Sequence, residues 1–299
     1  MKHRSGPPIR TARMLPGDAY VLGEGASWDS EAGIVRWVDI DCGRVYESEF
    51  RMDAISPRLV FECGPTVGAS APVVGGGLLV AGARDLLRVA PSGQVVCKYE
   101  VIPPEVQSRL NDGTTDPQGR YLVGTLSLDD RTGEERLVRL ENDGRVRVLD
   151  DDLKLSNGLA FSPDGRLFYS IDTLDRVIWV RDYQPEGEYI GSRREAFRLE
   201  AGMPDGLACD EDGTLWIAMW GAGQVHRYTP NGELIEIVKV GTPLTTSVAF
   251  VGPKRDALLI TTASVAQSGT DLGAKAGRLA IANVDAIGLP ETPWSPPAG

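Results

Sequence analysis

Several polar side chains that could act as oxygen ligands stand directly before glycine in related segments of the chain. Asn157 and Asp205 open the segments NGLAFSPDGRLFYSID and DGLACDEDGTLWIAMW, and each lies eight residues before a turn glycine. Glu24 opens a third segment, EGASWDSEAGIVRWVDI, with one extra residue before Gly33. Carboxylate and amide oxygens are hard ligands that suit Ca²⁺ or Mg²⁺ and are acceptable to Mn²⁺ or Zn²⁺. If the fold brings these side chains together, they could hold a divalent cation.

A fourth copy, NDGTTDPQGRYLVGTL, leaves its own key position open. Counting back eight residues from Gly119 selects Asn111, whereas matching the glycine that follows selects Asp112. Two weaker copies offer only Val67 and Thr246 at this position, so they add no carboxylate. The residues alone therefore do not decide between Asn111 and Asp112.

The copies recur with a period that indicates the fold. The intervals between them are 43, 45, 45, 48 and 41 residues when the markers are Glu24, Val67, Asp112, Asn157, Asp205 and Thr246. Such a period is typical of a four-stranded antiparallel blade. The sequence therefore predicts an all-β protein, a six-bladed β-propeller with four antiparallel strands per blade, in a single domain over residues 1–299. We expect an N-terminal strand to pair with the last blade, which would protect the sheet edges. The tail ETPWSPPAG is expected to be an exposed terminus.

In a propeller the innermost strands surround one axis, so equivalent positions of different blades converge there. Glu24 and Asp205 would then face each other, lose hydration and repel, which raises the pKa of at least one of them. A bound divalent cation would remove that repulsion. The repeat thus favours a metal site on the axis.

Hairpin turns are the competing interpretation, because Asp-Gly and Asn-Gly are the commonest turn dipeptides. Asp164-Gly165 and Asp212-Gly213 are predicted to be such turns. Asn157 and Asp205 differ, since each precedes another turn by a fixed interval and opens an apolar strand. On the residues alone, both interpretations of these two positions stay open.

Histidine is scarce, which narrows the chemistry. The two histidines are His3, near the N-terminus, and His226, within QVHRY. Neither is placed to serve as the base of a Ser-His-Asp triad, and two are too few for a histidine-rich zinc site. There is no G-x-S-x-G elbow and no phosphate-binding G-x-x-x-x-G-K-[ST] motif. Oxygen-ligated metal chemistry with carboxylate assistance remains.

Composition restricts the partners and the compartment. The formal net charge of −11 argues against nucleic-acid and anionic-membrane partners. No apolar run approaches the roughly 20 residues of a membrane span, and the N-terminus lacks the apolar stretch of a secretory signal. The four cysteines, Cys42, Cys63, Cys97 and Cys209, form no C-x-x-C pair. We expect a cytoplasmic protein with reduced cysteines.

Four ordered motifs give the chain a family resemblance. They are LGEGASWD, RLNDGTTDPQGRYLVGTL, LSNGLAFSPDGRLFYSID and MPDGLACDEDGTLWIAMWGAGQVHRY. The chain resembles the senescence-marker-protein, gluconolactonase and luciferin-regenerating-enzyme-like family, which includes regucalcin, from about Leu22 to Pro290. The resemblance implies a six-bladed propeller with one divalent metal ion, Ca²⁺ first and Zn²⁺, Mg²⁺ or Mn²⁺ otherwise. It implies a metal-dependent lactonase acting on a small sugar-acid lactone, as a monomer or small homo-oligomer.

The resemblance also implies roles for residues at the repeat positions. The metal-binding residues of the family match Glu24, Asn157 and Asp205. Asp205, or a water molecule that it orients, is then the catalytic group that delivers hydroxide to the lactone carbonyl. A departure lies beside Glu24, where the usual proline after E-G is Ala26.

The substrate-contacting residues of the family fall within RLND. They match Arg109 and Asn111, which resolves the open position in favour of Asn111 and leaves Asp112 with a structural or indirect role. A further acidic substrate contact of some members falls near Asp129.

The function has alternatives that the sequence leaves open. Two are non-enzymatic, a scaffold propeller and a calcium-binding regulator, and a third is hydrolysis of another ester.

Overall fold

The computed structural model describes residues 6–129, 131–265 and 272–296 of the chain. Within these residues the regular structure is β, apart from a short 3₁₀ helix at Ile40–Cys42. The strands form six sheets, five of four strands and one of five. No helix in the described ranges is long and apolar enough to span a bilayer. The prediction of an all-β, six-bladed propeller is confirmed.

Each blade takes its strands from one continuous stretch of chain, and two N-terminal strands are added to the last two blades. The strands before blade 1 are β1 (Ile9–Thr11) and β2 (Arg13–Met14). Blade 1 contains β3 (Gly23–Asp29), β4 (Ile34–Asp39), β5 (Arg44–Glu49) and β6 (Arg58–Glu62). Blade 2 contains β7 (Ala69–Pro72), β8 (Leu78–Ala81), β9 (Asp85–Val89) and β10 (Val95–Glu100). Blade 3 contains β11 (Ser108–Thr115), β12 (Tyr121–Ser127), β13 (Glu135–Leu140) and β14 (Val146–Leu153). Blade 4 contains β15 (Ser156–Phe161), β16 (Leu167–Asp172), β17 (Val177–Asp182) and β18 (Arg194–Arg198). Blade 5 contains β19 (Met203–Cys209), β20 (Leu215–Trp220), β21 (Gln224–Tyr228) and β22 (Leu234–Lys239). Blade 6 contains β23 (Thr245–Val251), β24 (Ala257–Thr262) and β25 (Ala280–Asn283).

The first strand of each blade forms the inner ring. Each of β3, β7, β11, β15 and β19 contacts the first strand of the next blade, and β23 contacts β3 again. The ring is therefore closed, and residues near the start of these strands lie at one end of the axis. This geometry is what allows one repeat position to become one site.

The N-terminal residues complete the last two blades. β2 pairs antiparallel with β25, with Arg13 opposite Ile281, and becomes the outermost strand of blade 6. This confirms the expected closure of the last blade. β1 pairs parallel with β22 and adds a fifth strand to blade 5, which the repeat does not indicate.

The apolar core is divided among the gaps between blades. The described chain has six buried apolar clusters, and each draws its residues mainly from two neighbouring blades. Between blades 5 and 6, for example, Trp216 packs edge-on against Phe250, with ring centroids 5.7 Å apart. The middle strands are covered on both faces, which explains why segments such as LWIAMW lack alternation.

The described part of the C-terminal tail, residues 291–296, docks on the propeller through Trp294, so the expectation of an exposed terminus is wrong at this residue. Trp294 is fully buried in the cluster between blades 2 and 3, and its ring meets Tyr99 edge-on. Its backbone N–H donates to Pro72 O at 2.8 Å, and its carbonyl accepts from Val74 N–H at 2.9 Å. The docking could not be predicted, because the proline-rich tail has no periodicity and only one of its described residues, Trp294, is buried in the core.

Trp294→Ala should lower the free energy of unfolding by about 3–5 kcal/mol. The substitution removes a large buried side chain and leaves a cavity in the apolar gap between the blades. Urea unfolding followed by circular dichroism measures the change. Trp294→Phe is the matched control and should cost less, since it keeps an aromatic ring in the gap. A loss below about 1 kcal/mol for the alanine variant would contradict the tail's role.

Candidate active site

The inner strands are irregular at the positions that the repeat marks. Pairing with the second strand of the blade shifts register in five of the six blades. The shifts fall between Glu24 and Ser27, Leu110 and Gly113, Asn157 and Leu159, Pro204 and Leu207, and Thr245 and Val248. A β-bulge redirects side chains and is common beside active sites. In four of these blades the bulge coincides with a polar residue followed by glycine, and in blade 6 it coincides with Thr246-Ser247.

The glycine that follows the polar residue lets neighbouring blades approach the axis closely. A Cβ atom on Gly158 would lie 2.5 Å from the carbonyl oxygen of Asp205. Gly165 and Gly213, by contrast, have φ angles of 68° and 78° in the predicted hairpin turns. Asn157 and Asp205 lie within β15 and β19, so the turn interpretation is wrong for these two positions.

Five of the residues singled out from the sequence form one buried ring on the axis. Each exposes 8% or less of its surface: Glu24, Arg109, Asn111, Asn157 and Asp205. The Nη1 atom of Arg109 donates to Asn111 Oδ1 at 2.6 Å, and Asn111 Nδ2 donates to Asn157 Oδ1 at 2.7 Å. Blades 3 and 4 are thereby joined by side chains at the axis.

The charges of the ring are not balanced. Burial, followed by the charge of Asp112, raises the pKa of Glu24 to about 8. Burial and the charges of Glu24 and Asp112 raise the pKa of Asp205 well above its ordinary value. Arg109 lowers both, but burial lowers its own pKa as well. The two carboxylates of the ring share one guanidinium, so the ring favours an additional positive charge.

The donor atoms of the ring fit a hard divalent cation. Among the described residues, the Glu24 carboxylate accepts a hydrogen bond only from its neighbour Gly25 N–H, and none donates to the Asp205 carboxylate. Asn157 directs its Nδ2 atom to Thr173 and its Oδ1 atom toward the ring. No group of three or more histidine, cysteine or acidic side chains in the described residues could hold a metal. A site here therefore depends on an amide oxygen, which Asn157 provides.

The remaining candidates lie apart from the ring or are already paired. Asp112 is partly buried, with Oδ1 accepting from Gly113 N–H at 2.8 Å, and burial raises its pKa to about 6. Asp129 lies in an exposed loop and pairs with Arg131 at 2.6 Å. His226 lies in β21, the third strand of blade 5, and His3 lies outside the described residues.

A cavity continues along the axis beyond the ring. Its volume is about 380 Å³, and residues that follow the ring residues along the inner strands form its wall. Asp112, Ser27, Ser70 and the C-terminal segment 289–292 line it. Asp112 therefore belongs to the far side of the ring, whereas Asn111 belongs to the ring itself.

Comparison with known proteins decides the family. The sequence profile of the "SMP-30/Gluconolactonase/LRE-like region" matches residues 22–264. The chain belongs to this family. A 6-deoxy-6-sulfogluconolactonase of Pseudomonas putida is 33% identical over 257 residues, which are 84% of this chain and 87% of that protein. A pentonolactonase of Haloferax volcanii is 31% identical over 280 residues, 90% and 93% of the two chains.

A solved structure of the same family agrees with the fold. The structure of regucalcin from Agrobacterium tumefaciens, described as a calcium-binding protein, has 25% sequence identity and a TM-score of 0.85. The alignment covers 96% of this chain and 98% of that one. The resemblance inferred from the four motifs is confirmed.

This SMP-30/gluconolactonase/LRE-like chain has two threonines at the ring whose contacts were not inferred from sequence. Thr246, the blade 6 marker, donates through Oγ1 to Gly23 O at 2.5 Å, beside Glu24. Thr173 accepts from Asn157 Nδ2 at 2.9 Å. Thr246 occupies the repeat position in blade 6, but it has neither a carboxylate nor an amide, so it was not considered as a ligand. Thr173 lies between the second and third strands of blade 4, and the equivalent residue of blade 1 is Ile40, so the repeat does not mark a hydroxyl there.

Proposed function

We propose that this protein is a metal-dependent lactonase that hydrolyses a small sugar-acid lactone to the hydroxy acid. The observation that carries the proposal is the buried ring itself, in which two carboxylates and an amide oxygen face Arg109 and Asn111. Relatives named 6-deoxy-6-sulfogluconolactonase and pentonolactonase support the reaction class and a sugar-derived substrate.

In this proposal Glu24, Asn157 and Asp205 would hold the cation. Ca²⁺ is the first candidate, supported by the name of the regucalcin structure, and Zn²⁺, Mg²⁺ and Mn²⁺ are the others. When bound, the cation supplies Lewis-acid polarisation of the lactone carbonyl. The other two ring residues are less suited, because the guanidinium of Arg109 repels a cation and Asn111 Oδ1 already accepts a hydrogen bond from Arg109.

Asp205 is proposed to move the proton. Its carboxylate has no hydrogen-bond donor among the described residues, so it is free to accept a proton from the attacking water. The water oxygen bonds to the carbonyl carbon, the ring C–O bond breaks, and the proton passes to the departing ring oxygen, which becomes a hydroxyl. Hydrolysis is then complete without a second substrate or an organic cofactor.

Arg109 and Asn111 are proposed to hold the sugar ring. Nη1 of Arg109 is used by Leu110 O and Asn111 Oδ1, whereas Nε and Nη2 have no hydrogen-bond partner in the described part of the chain. These donors are available to hydroxyl or carboxyl oxygens of a substrate. Orientation of the ring near the attack geometry lowers the barrier to hydrolysis.

Arg109→Ala should lower kcat/KM about 10- to 100-fold, because a hydrogen bond to a charged group is worth about 1.5–3 kcal/mol. The loss should appear in both KM and kcat, because Arg109 is proposed to bind the sugar ring and to orient it. Cation affinity, measured by calorimetry on the same variant, should change less than KM, since the loss of a positive charge offsets the loss of the hydrogen bond that orients Asn111. Loss of cation binding with an unchanged KM would contradict the proposed substrate role.

The test of the function itself is proton release from a panel of aldonolactones by chelator-stripped protein. Ca²⁺, Mg²⁺, Mn²⁺ and Zn²⁺ are added singly, and the uncatalysed rate of ring opening is subtracted. Turnover restored by a cation for one lactone would support the proposal and identify both partners. Tight cation binding without turnover on any lactone or simple ester would instead favour a calcium-binding regulator, the alternative that the name of the regucalcin structure suggests.

A further inference from the structure

One hydroxyl connects two blades directly behind the ring. Thr173 follows the last residue of β16 and exposes only 3% of its surface. Its Oγ1 atom lies 2.9 Å from Asn157 Nδ2 in blade 4 and 2.7 Å from the carbonyl oxygen of Pro204 in blade 5. Pro204 directly precedes Asp205. This single atom therefore contacts one proposed ligand, Asn157, and the backbone next to another, Asp205.

The direction of these hydrogen bonds follows from the chemistry of the groups. A carbonyl oxygen only accepts, so the one hydroxyl proton of Thr173 must go to Pro204 O. The hydroxyl oxygen can then only accept from Asn157, which must present its NH₂ group. The Oδ1 atom of Asn157 is consequently turned away from Thr173 and toward the ring.

The opposite end of the network imposes the same direction. The guanidinium of Arg109 only donates, so Asn111 presents Oδ1 to it and directs Nδ2 to Asn157 Oδ1 and to Ser156 O. Donors therefore run one way, from Arg109 through Asn111, Asn157 and Thr173 to Pro204 O. A flip of the Asn157 amide would place NH₂ against NH₂ on one side, and it would leave the hydroxyl oxygen of Thr173 without a donor on the other.

We propose that Thr173 is a positioning residue that holds the Asn157 amide with its oxygen toward the axis, where the cation would bind. This inference rests on the proposed role of Asn157 as a ligand. Without the hydroxyl only Asn111 would oppose rotation of the amide, and a rotated amide would offer NH₂, which cannot bind a cation. Groups behind metal ligands typically change metal affinity 10- to 100-fold when they are removed.

The test is calorimetric titration of chelator-stripped protein with Ca²⁺, Mg²⁺, Mn²⁺ and Zn²⁺, each alone. Thr173→Val keeps the shape and removes the hydroxyl, and it should weaken binding of the tightest cation about 10- to 100-fold. Thr173→Ser is the matched control and should stay within about threefold of wild type, because it restores the hydroxyl. Thermal unfolding of the metal-free variants reports whether each is folded.

A double-mutant cycle separates positioning from a general structural effect. If Thr173 acts through Asn157, then Thr173→Val should have no further effect on affinity in an Asn157→Ala background. Equal affinity of the valine variant and wild type would overturn the inference while leaving the metal site intact. So would an equal additional loss in both backgrounds. If Thr173→Val does not fold, the serine variant decides, since weak binding by a folded Thr173→Ser protein contradicts the hydroxyl's role. A wild-type protein that binds none of the cations overturns the metal site itself, and this inference with it.

Discussion

Asp205→Asn should lower kcat/KM for the lactone substrate by about 10³-fold or more and leave the propeller folded. The substitution keeps the size of the side chain, but it removes the proposed proton acceptor. General acid–base catalysis contributes a factor of about 10²–10⁴ to the rate. The substitution also removes one charge of the proposed cation site. Initial rates at several cation concentrations, together with calorimetric cation binding, separate the two effects, since added cation can restore binding but not proton transfer.

Asp112→Asn is the matched control for this result. Asp112 is also an acidic residue of an inner strand, and burial raises its pKa as well, but its carboxylate bonds to Gly113 N–H and lines the cavity beyond the ring. We expect its rate to stay within about tenfold of wild type, since it touches neither the cation nor the substrate in the proposal. Equal losses in the two variants, or an Asp205→Asn protein that retains a tenth of the activity, would contradict the role of Asp205.

The three proposed ligands of the ring could be placed together from the repeat, whereas Arg109 and the choice of Asn111 came only from the family resemblance. Glu24, Asn157 and Asp205 share one place in three copies, and a closed circle of inner strands brings such places to one axis. The bulges that direct these side chains could not be predicted, since a polar residue before glycine is equally typical of a turn. Their roles as ligands stay predictions that the experiments above address.

Contacts outside the repeat could not be predicted from one sequence. Thr173 meets Asn157 across 16 positions and Pro204 across 31. The equivalent residue of blade 1 is Ile40, which has no hydroxyl, so the repeat does not indicate this contact. Trp294 docks between blades 2 and 3 from a tail without periodicity. β1 joins blade 5 through parallel pairing, for which its three residues carry no signal. Each of these contacts is fixed by tertiary packing rather than by a local pattern.

Removal of the cation should make the protein pH-sensitive in a definite direction. Burial and Asp112 raise the pKa of Glu24 from 4.5 to about 8, and the pKa of Asp205 is raised in the same sense. Between these pH values the carboxyl group has lost its proton in the unfolded chain but retains it in the folded protein. The contribution of these two groups to the stability of the metal-free protein should therefore be greatest below about pH 4.5. The free energy of unfolding should fall by a few kcal/mol as the pH rises to about 8.

A saturating divalent cation should cancel this loss, because it binds the charged carboxylates of the folded state only. At about 1,000 times the dissociation constant, binding adds about 4 kcal/mol to the free energy of unfolding. Thermal unfolding at pH 6, 7 and 8, with and without cation, measures both effects. The variant Glu24→Gln/Asp205→Asn is the control: its metal-free form should depend less on pH in this range and should not respond to the cation. A metal-free wild type that gains stability toward pH 8 would show that these carboxylates are compensated by other groups, and the case for a cation at the ring would fall with it.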